Sequence, residues 1–156
     1  MNQIINHPIY QSAMEELNKW ESDRTYCKHG LTHQLDVGRI AYIISLEKGL
    51  GIEKDIIYAI ALLHDIGKYL QYEKQLPHNE TSATMAEPIL KNCGYDQDEI
   101  HQIVQAIFHH RKKSMGINEL DKIIYQADKL SRNCFTCREE DSCNWSDDKK
   151  NQRLTW

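Results

Sequence analysis

Four segments of this chain repeat apolar residues at three- and four-residue spacing, and each apolar stripe runs into a histidine or an aspartate. The stripes are Val37, Ile40, Ala41 and Ile44; Ile56, Ile57, Ile60 and Leu63; Ile100, Ile103, Val104, Ile107 and Phe108; and Leu120, Ile123, Ile124 and Ala127. That period is helical, and a striped helix turns its stripe to the core. His33 stands four residues before Val37, and His64, followed by Asp65, stands four after Ile60. Asp128 stands four after Ile124, and His110 three after Ile107. His109 falls on the opposite side of that helix wheel. Seven Gly and three Pro are too few for a chain of short strands and turns, and no segment alternates convincingly. The expected fold is all-α, a single-domain helical bundle with polar side chains gathered in its core. A length of 156 residues suffices for one such core and leaves little for a second.

The helix boundaries are set by local signals. Pro8 suits a first turn, which predicts a helix from Pro8 to about Trp20. Glu21 to Leu31 reads as a polar loop. The next helix starts near Thr32 and ends at Gly49–Gly51, where glycine can adopt a left-handed cap. A third starts near Glu53 and closes at Gly67. Lys68 to Asn79 reads as a polar connection, and Thr81 to Asn92 as a helix that Pro88 should kink or divide. Asp96 or Asp98 caps the following helix. Arg111 to Gly116 is a basic loop before the last helix. Three regions result: an N-terminal helix and loop over 1–30, a helical core over 31–132, and a polar, cysteine-rich, peripheral tail over 133–156.

A buried carboxylate without a partner costs several kcal/mol or loses its charge. Asp65 and Asp128 therefore require a cation, and no Lys or Arg lies on their stripes. Imidazole nitrogen and carboxylate oxygen suit divalent transition ions such as Fe and Mn, with Ni, Co or Zn also accepted by this mixture. Adjacent His64 and Asp65 can ligate together at a helix end, and the two oxygens of Asp65 can bridge two ions.

The order His33, then His64-Asp65 within ALLHDIGK (61–68), then Asp128 within ADKLSR (127–132), resembles the HD superfamily of metal-dependent phosphohydrolases. The resemblance covers roughly Leu31 to Arg132. It implies an all-helical fold holding a metal through His33, His64, Asp65 and Asp128. His78 in LPHNE (76–80) and the pair His109 and His110 in IFHH (107–110) are similar to the extra ligands of the members that hold two metals bridged by the doublet Asp. Which histidine of the pair ligates is open; the helix wheel favours His110, and some relatives use both. The layout looks like the bacterial HD proteins that cleave diadenosine tetraphosphate symmetrically. It is also similar to the HD-GYP phosphodiesterases, but RKKSMG (111–116) stands where their GYP segment would be. The implied function is hydrolysis of a phosphoester or phosphoanhydride of a small molecule, a nucleotide before a sugar phosphate, by metal-activated water. The alternative that the resemblance offers is a diiron oxygenase acting on a small organic substrate.

Two cations would hold a hydroxide and neutralise phosphoryl charge, with Asp65 orienting the nucleophile. Lys68 lies one turn past the doublet and is a catalytic and phosphate-contact candidate. Arg111, Lys112 and Lys113 are phosphate contacts too, as is Arg132. The tail reads CxxC then a third cysteine, as Cys134, Cys137 and Cys143. This is ligand spacing for zinc or an iron–sulfur cluster, with Cys27 or His29 as a fourth ligand. Cys93 reads as core, and His7, His29 and His101 as hydrogen-bonded bystanders. An odd cysteine count of five, with no basic segment leading an apolar one, predicts reduced thiols and a cytoplasmic protein. No run of eighteen apolar residues exists, so no membrane span is expected. A net charge of −4 argues against a nucleic-acid polymer as partner. A monomer or homodimer is expected.

Overall fold

The most apolar helix of the chain is also the one that organises the rest. In a computed structural model, which describes residues 1–111 and 118–155, the helix Lys54–Leu63 buries Ile56, Ile57 and every residue from Ala59 to Leu63. A helix apolar around most of its girth has to be enclosed. Among the described residues there are eight α-helices and no strand: α1 Asn2–Ile5, α2 Pro8–Trp20, α3 Leu31–Glu47, α4 Lys54–Leu63, α5 Lys68–Lys74, α6 His78–Asn92, α7 Gln97–His109 and α8 Glu119–Leu130. Helix α4 touches α1, α3, α6, α7 and α8, while α3 also packs on α8 and α6 on α7. The core runs through Leu17, Ile44, Ile57, Ile60, Leu63, Ile89, Leu90, Ile103 and Ile107, all essentially solvent-free. Because α4 is central, its C-terminal end lies in the middle of the molecule. His64 and Asp65 stand at that end.

The caps explain most boundaries. His7 accepts from the Ile9 amide through Nδ1 (3.2 Å), with Pro8 at the first helical position. Asp96 and Glu99 form a reciprocal capping box at the start of α7. Asn118 accepts from the Asp121 amide (2.9 Å) at the start of α8. Gly49 ends α3 with a φ of +62°, the left-handed conformation expected there.

Three local expectations need correction. The Lys68 to Asn79 connection is largely helical, because α5 occupies Lys68–Lys74 and α6 begins at His78. Pro88 does not divide α6, which runs unbroken to Asn92. Helix α4 closes at Leu63, four residues before Gly67, whose φ is −82°. Gly67 is needed instead for closeness: a Cβ there would meet the Thr81 hydroxyl, the Ser82 amide nitrogen at 2.5 Å and the Thr81 carbonyl carbon at 2.8 Å. The Gly67 amide donates to Ser82 Oγ (2.9 Å), so α6 rests directly on the turn just past the His64-Asp65 doublet.

The tail is mostly exposed but is tied back to the helical body. Beyond α8 a 3-10 turn spans Cys134–Thr136, and the Phe135 amide donates to the Asn151 carbonyl (3.1 Å). Asn151 is buried and donates to the Leu130 carbonyl (2.8 Å). The segment thereby folds back over the mouth of the core. No helix among the described residues is long and apolar enough to cross a membrane.

Candidate metal centre

Six buried side chains from five places in the fold converge at the end of α4. They are His33 from α3, His64 and Asp65 from the end of α4, His78 from the first position of α6, His110 from the end of α7, and Asp128 from the last turn of α8. Two groups share Asp65. In the first, Asp65 Oδ2 lies 3.5 Å from His33 Nε2 and 3.1 Å from His64 Nε2, while Asp128 Oδ1 lies 3.3 Å from His33 Nε2 and 3.9 Å from His64 Nε2. In the second, Asp65 Oδ1 lies 3.2 Å from His78 Nε2 and 3.7 Å from His110 Nε2, and these two nitrogens are 3.2 Å apart. Each oxygen of the one carboxylate thus faces a different group.

The outer nitrogens decide the protonation of the inner ones. His64 Nδ1 meets the Ala61 carbonyl (2.8 Å) and His110 Nδ1 the Ile107 carbonyl (2.6 Å). A carbonyl only accepts, so both Nδ1 atoms carry the proton. His78 Nδ1 donates to Gln71 Oε1 (2.5 Å). His33 Nδ1 donates to Ser131 Oγ (3.0 Å), whose own hydrogen goes to the Asp128 carbonyl (2.8 Å). All four rings therefore point an unprotonated Nε2 inward, and such an arrangement fixes a histidine as a metal ligand. The Nε2 atoms of His78 and His110 meet at Asp65 Oδ1, and among the described residues His64 Nε2 has no hydrogen-bond partner. A divalent ion in each group would satisfy these acceptors. The donor set fits divalent transition ions in both groups.

The local field agrees. Burial alone would raise the Asp65 pKa, but His64, His29 and His33 outweigh it and hold the group well below the usual carboxylate range. Asp128 is likewise held low against burial, first by Lys129 and then by His33 and Arg132. Burial lowers the His64 pKa, yet Asp65 and then Asp128 outweigh it and raise it, so an ion at the first group would compete with a proton for His64 Nε2. His110 is pushed down to about 3 by burial and by neighbouring His64, so it stays a neutral imidazole.

Above the cluster opens a cavity of about 210 Å³ walled by cations. Lys68, Arg111, Lys129, Arg132 and Lys149 line it, against the two carboxylates Asp65 and Asp128. Contrary to the expectation that no Lys or Arg lies on its stripe, Asp128 has basic partners: Lys129 Nζ holds Oδ2 (2.5 Å), and Arg132 Nη2, one helical turn on, lies 3.7 Å from Oδ1. Arg132 is buried and donates to His33 Nε2 (3.0 Å) and to the Lys28 carbonyl (2.7 Å). Burial lowers the pKa of Lys68, whose Nζ lies 3.4 Å from His78 Nδ1.

Several sequence candidates lie elsewhere. His109 joins neither group: its Nδ1 pairs with Asp121 Oδ2 at 3.0 Å, because one residue along a helix turns a side chain by about 100°. Lys112 and Lys113 fall outside the described residues. Three contributors were not anticipated. His29 is hydrogen-bonded as expected, by buried Glu21 through its Nδ1 and, at 2.7 Å, its amide, but it also lines the cavity and stands edge-on to His33 with ring centroids 5.8 Å apart. Trp145 and Lys149 come from the tail. His29 precedes α3, so no helical spacing tied it to His33.

The HD domain family model matches residues 30–133, two thirds of the chain. An uncharacterized protein of Clostridium beijerinckii is 48% identical over 98% of this chain and 96% of its own. Ribonuclease Y of Mycoplasma mycoides is 31% identical over 74% of this chain, and that of Fervidobacterium nodosum 30% over 88%. This chain spans about a quarter of the length of those two ribonucleases. No solved structure matches it. Its helical architecture, its paired histidine–aspartate groups and the family match together place the chain in the HD domain family, whose members are mostly metal-dependent hydrolases.

Proposed function

We propose that this protein is a phosphohydrolase with two divalent ions, acting on a small phosphorylated molecule, a nucleotide in first place. The observation that carries the reading is the convergence of proton-free acceptors into two groups sharing Asp65, directly beneath a cation-lined cavity. His33, His64, Asp65 and Asp128 would hold one ion, and Asp65, His78 and His110 the other. When bound, such a pair supplies a water of lowered pKa and neutralises charge on the phosphoryl oxygens.

The protein's own groups do the rest. Asp65 holds the two groups in register through its two oxygens. Arg132 and Lys129 bring positive charge beside the first group and Lys68 beside the second, where phosphoryl oxygens would enter. Lys68, with its proton loosened by burial, is placed to protonate the departing oxygen. Arg111 and Lys149 line the outer cavity and suit further phosphates; Trp145 offers a face for a base. The Ribonuclease Y relatives are named for RNA cleavage, and RNA is itself a phosphodiester. We favour small substrates because the tail roofs the site and leaves about 210 Å³.

The test is a panel of mono- and dinucleoside polyphosphates, sugar phosphates and one oligoribonucleotide. It is run anaerobically with Mn²⁺-loaded wild type and Asp65→Ala, and in parallel with ferrous-loaded wild type in the presence of oxygen. Hydrolysis of a small nucleotide that Asp65→Ala lacks is the expected result. Cleavage of the oligoribonucleotide alone would overturn the small-substrate reading. Turnover that demands oxygen and ferrous iron would favour the oxygenase reading, and hydrolysis surviving in Asp65→Ala would remove the metal centre from the chemistry.

A further inference from the structure

The three tail cysteines and Cys27 are separated by more than a hundred residues, yet they meet. Cys27, Cys134, Cys137 and Cys143 all line one cavity of about 380 Å³ that adjoins the metal centre. Two long-range ties hold them there. The Tyr26 hydroxyl donates to the Ser142 carbonyl (3.2 Å), which joins the neighbours of Cys27 and Cys143. Arg132 donates to the Lys28 carbonyl (2.7 Å), which fixes the loop after Cys27 against the segment that leads into Cys134. The Arg24 guanidinium caps the Cys27 carbonyl (2.9 Å). All four thiols are free, and Cys134 is buried.

We infer that these four cysteines bind an iron–sulfur cluster beside the hydrolytic site. Four thiolates around one cavity are the usual ligand set of such a cluster. A lone zinc ion draws four sulfurs to about 2.3 Å from a single point. Among the described residues, the side chains drawn together tightly enough for one ion are the two histidine–aspartate groups, and the cysteines are not among them. A cuboidal cluster holds its thiolates farther apart, at the corners of a larger body, and a cavity between them is what it requires. Charge is also matched. Four thiolates around a cubane leave net negative charge, and Arg24, Lys68, Arg132 and Lys150 line the cavity against Glu140.

The cluster has a mechanical consequence. His29, Lys68, Arg132 and Trp145 line this cavity and the substrate cavity alike. Cys143 lies two residues before Trp145, and Cys134 two after Arg132. A cluster therefore pins the tail as a wall of the active site and fixes the Arg132 guanidinium from behind. This inference does not rest on the hydrolase reading, because acid-labile sulfide has no source in the histidine–aspartate groups.

The test is full-length protein purified anaerobically, reconstituted with ferric iron, sulfide and a thiol reductant that supplies the ferrous share, desalted, and analysed for iron, zinc, acid-labile sulfide and visible absorption. Wild type, Cys27→Ser, Cys137→Ser and His64→Ala are compared, with circular dichroism to confirm folding. About four sulfides per chain are expected in wild type and His64→Ala, with a broad visible band. Both should be lost in Cys27→Ser and Cys137→Ser. Bleaching of the band in wild type by an iron chelator gives a readout that needs no variant. Absence of sulfide in reconstituted wild type would overturn the inference. One zinc per chain bound by the cysteines in place of iron and sulfide would overturn it too. Sulfide retained in Cys27→Ser would show that Cys27 is not a ligand and refute the four-cysteine site.

Discussion

Replacing Gly67 by alanine tests whether the fold sets the spacing of the two metal groups. The new Cβ would lie 2.5 Å from the Ser82 amide nitrogen and 2.8 Å from the Thr81 carbonyl carbon. Both are backbone atoms of α6, so no side-chain rotation relieves the clash. Ordinary contact needs about 3.4 Å, so α6 must retreat from the doublet turn by about 1 Å. His78 stands three residues before Thr81 on the same rigid helix and moves with it. The 3.2 Å separation of His78 Nε2 from Asp65 Oδ1 then opens beyond the roughly 0.5 Å that a functional constellation tolerates. His33, His64 and Asp128 are carried by α3, α4 and α8 and stay in place. Gly67→Ala should therefore lose the ion at Asp65, His78 and His110, keep the other, and lose hydrolysis. Overpacking against backbone, with the Gly67 amide to Ser82 bond weakened, should lower unfolding stability by about 3 kcal/mol. Elemental analysis after dialysis and urea denaturation of the metal-free protein measure the two effects. A variant that retains two ions per chain and loses less than about 0.5 kcal/mol would refute the argument that α6 seats the second group.

The same geometry predicts two further outcomes. His110→Ala should shed one ion per chain, whereas His109→Ala should keep both and lose only its bond to Asp121, a cost of about 1–3 kcal/mol in a melt; the reverse pattern in elemental analysis would exchange the two assignments. Burial, partly opposed by Asp65 and Glu21, pushes His29 down to about 4. An unfolded His takes its proton near pH 6.5, so the unfolded chain binds a proton that the folded chain refuses until about pH 4. The contribution is complete above pH 6.5 and is lost as the pH falls to about 4, with an upper limit of about 3 kcal/mol. Urea midpoints of wild type should fall across that window more steeply than those of His29→Gln, and parallel curves would show that His29 does not titrate as described.

Much of the architecture was legible because helical periodicity is a local property. The stripes ending in His33, His64-Asp65 and Asp128 needed only the 3.6-residue repeat to place those residues on inward faces. The cap of α7 was narrowed to Asp96 or Asp98 for the same reason, and the structure decides for Asp96, with Glu99 as its reciprocal partner. The helix wheel also separated His110 from His109, which the structure places on Asp121. Where local pattern was weak, the reading weakened with it. Lys68–Lys74 has no buried residue of its own, so nothing in its composition marked α5 as helical. His78 was read as loop for that reason, although it opens α6. Gly67 looked like a helix stop, when what demands it is the backbone of α6 lying against it.

The sequence by itself determined the all-helical class, the inward placement of the histidine and aspartate ends, and the resemblance to HD proteins, since each depends on spacing within one segment. Only the tertiary structure decided that Asp65 offers one oxygen to each of two groups. Only there do the outer nitrogen partners leave every inner Nε2 without a proton. The tail roof with Trp145 and Lys149, the pairing of Glu21 with His29, and the meeting of Cys27 with the tail cysteines were settled at that level as well. The physical reason is common to all of them: each joins segments far apart in the chain, and such contacts form only once α4 is enclosed and the helices around it have fixed where their ends point.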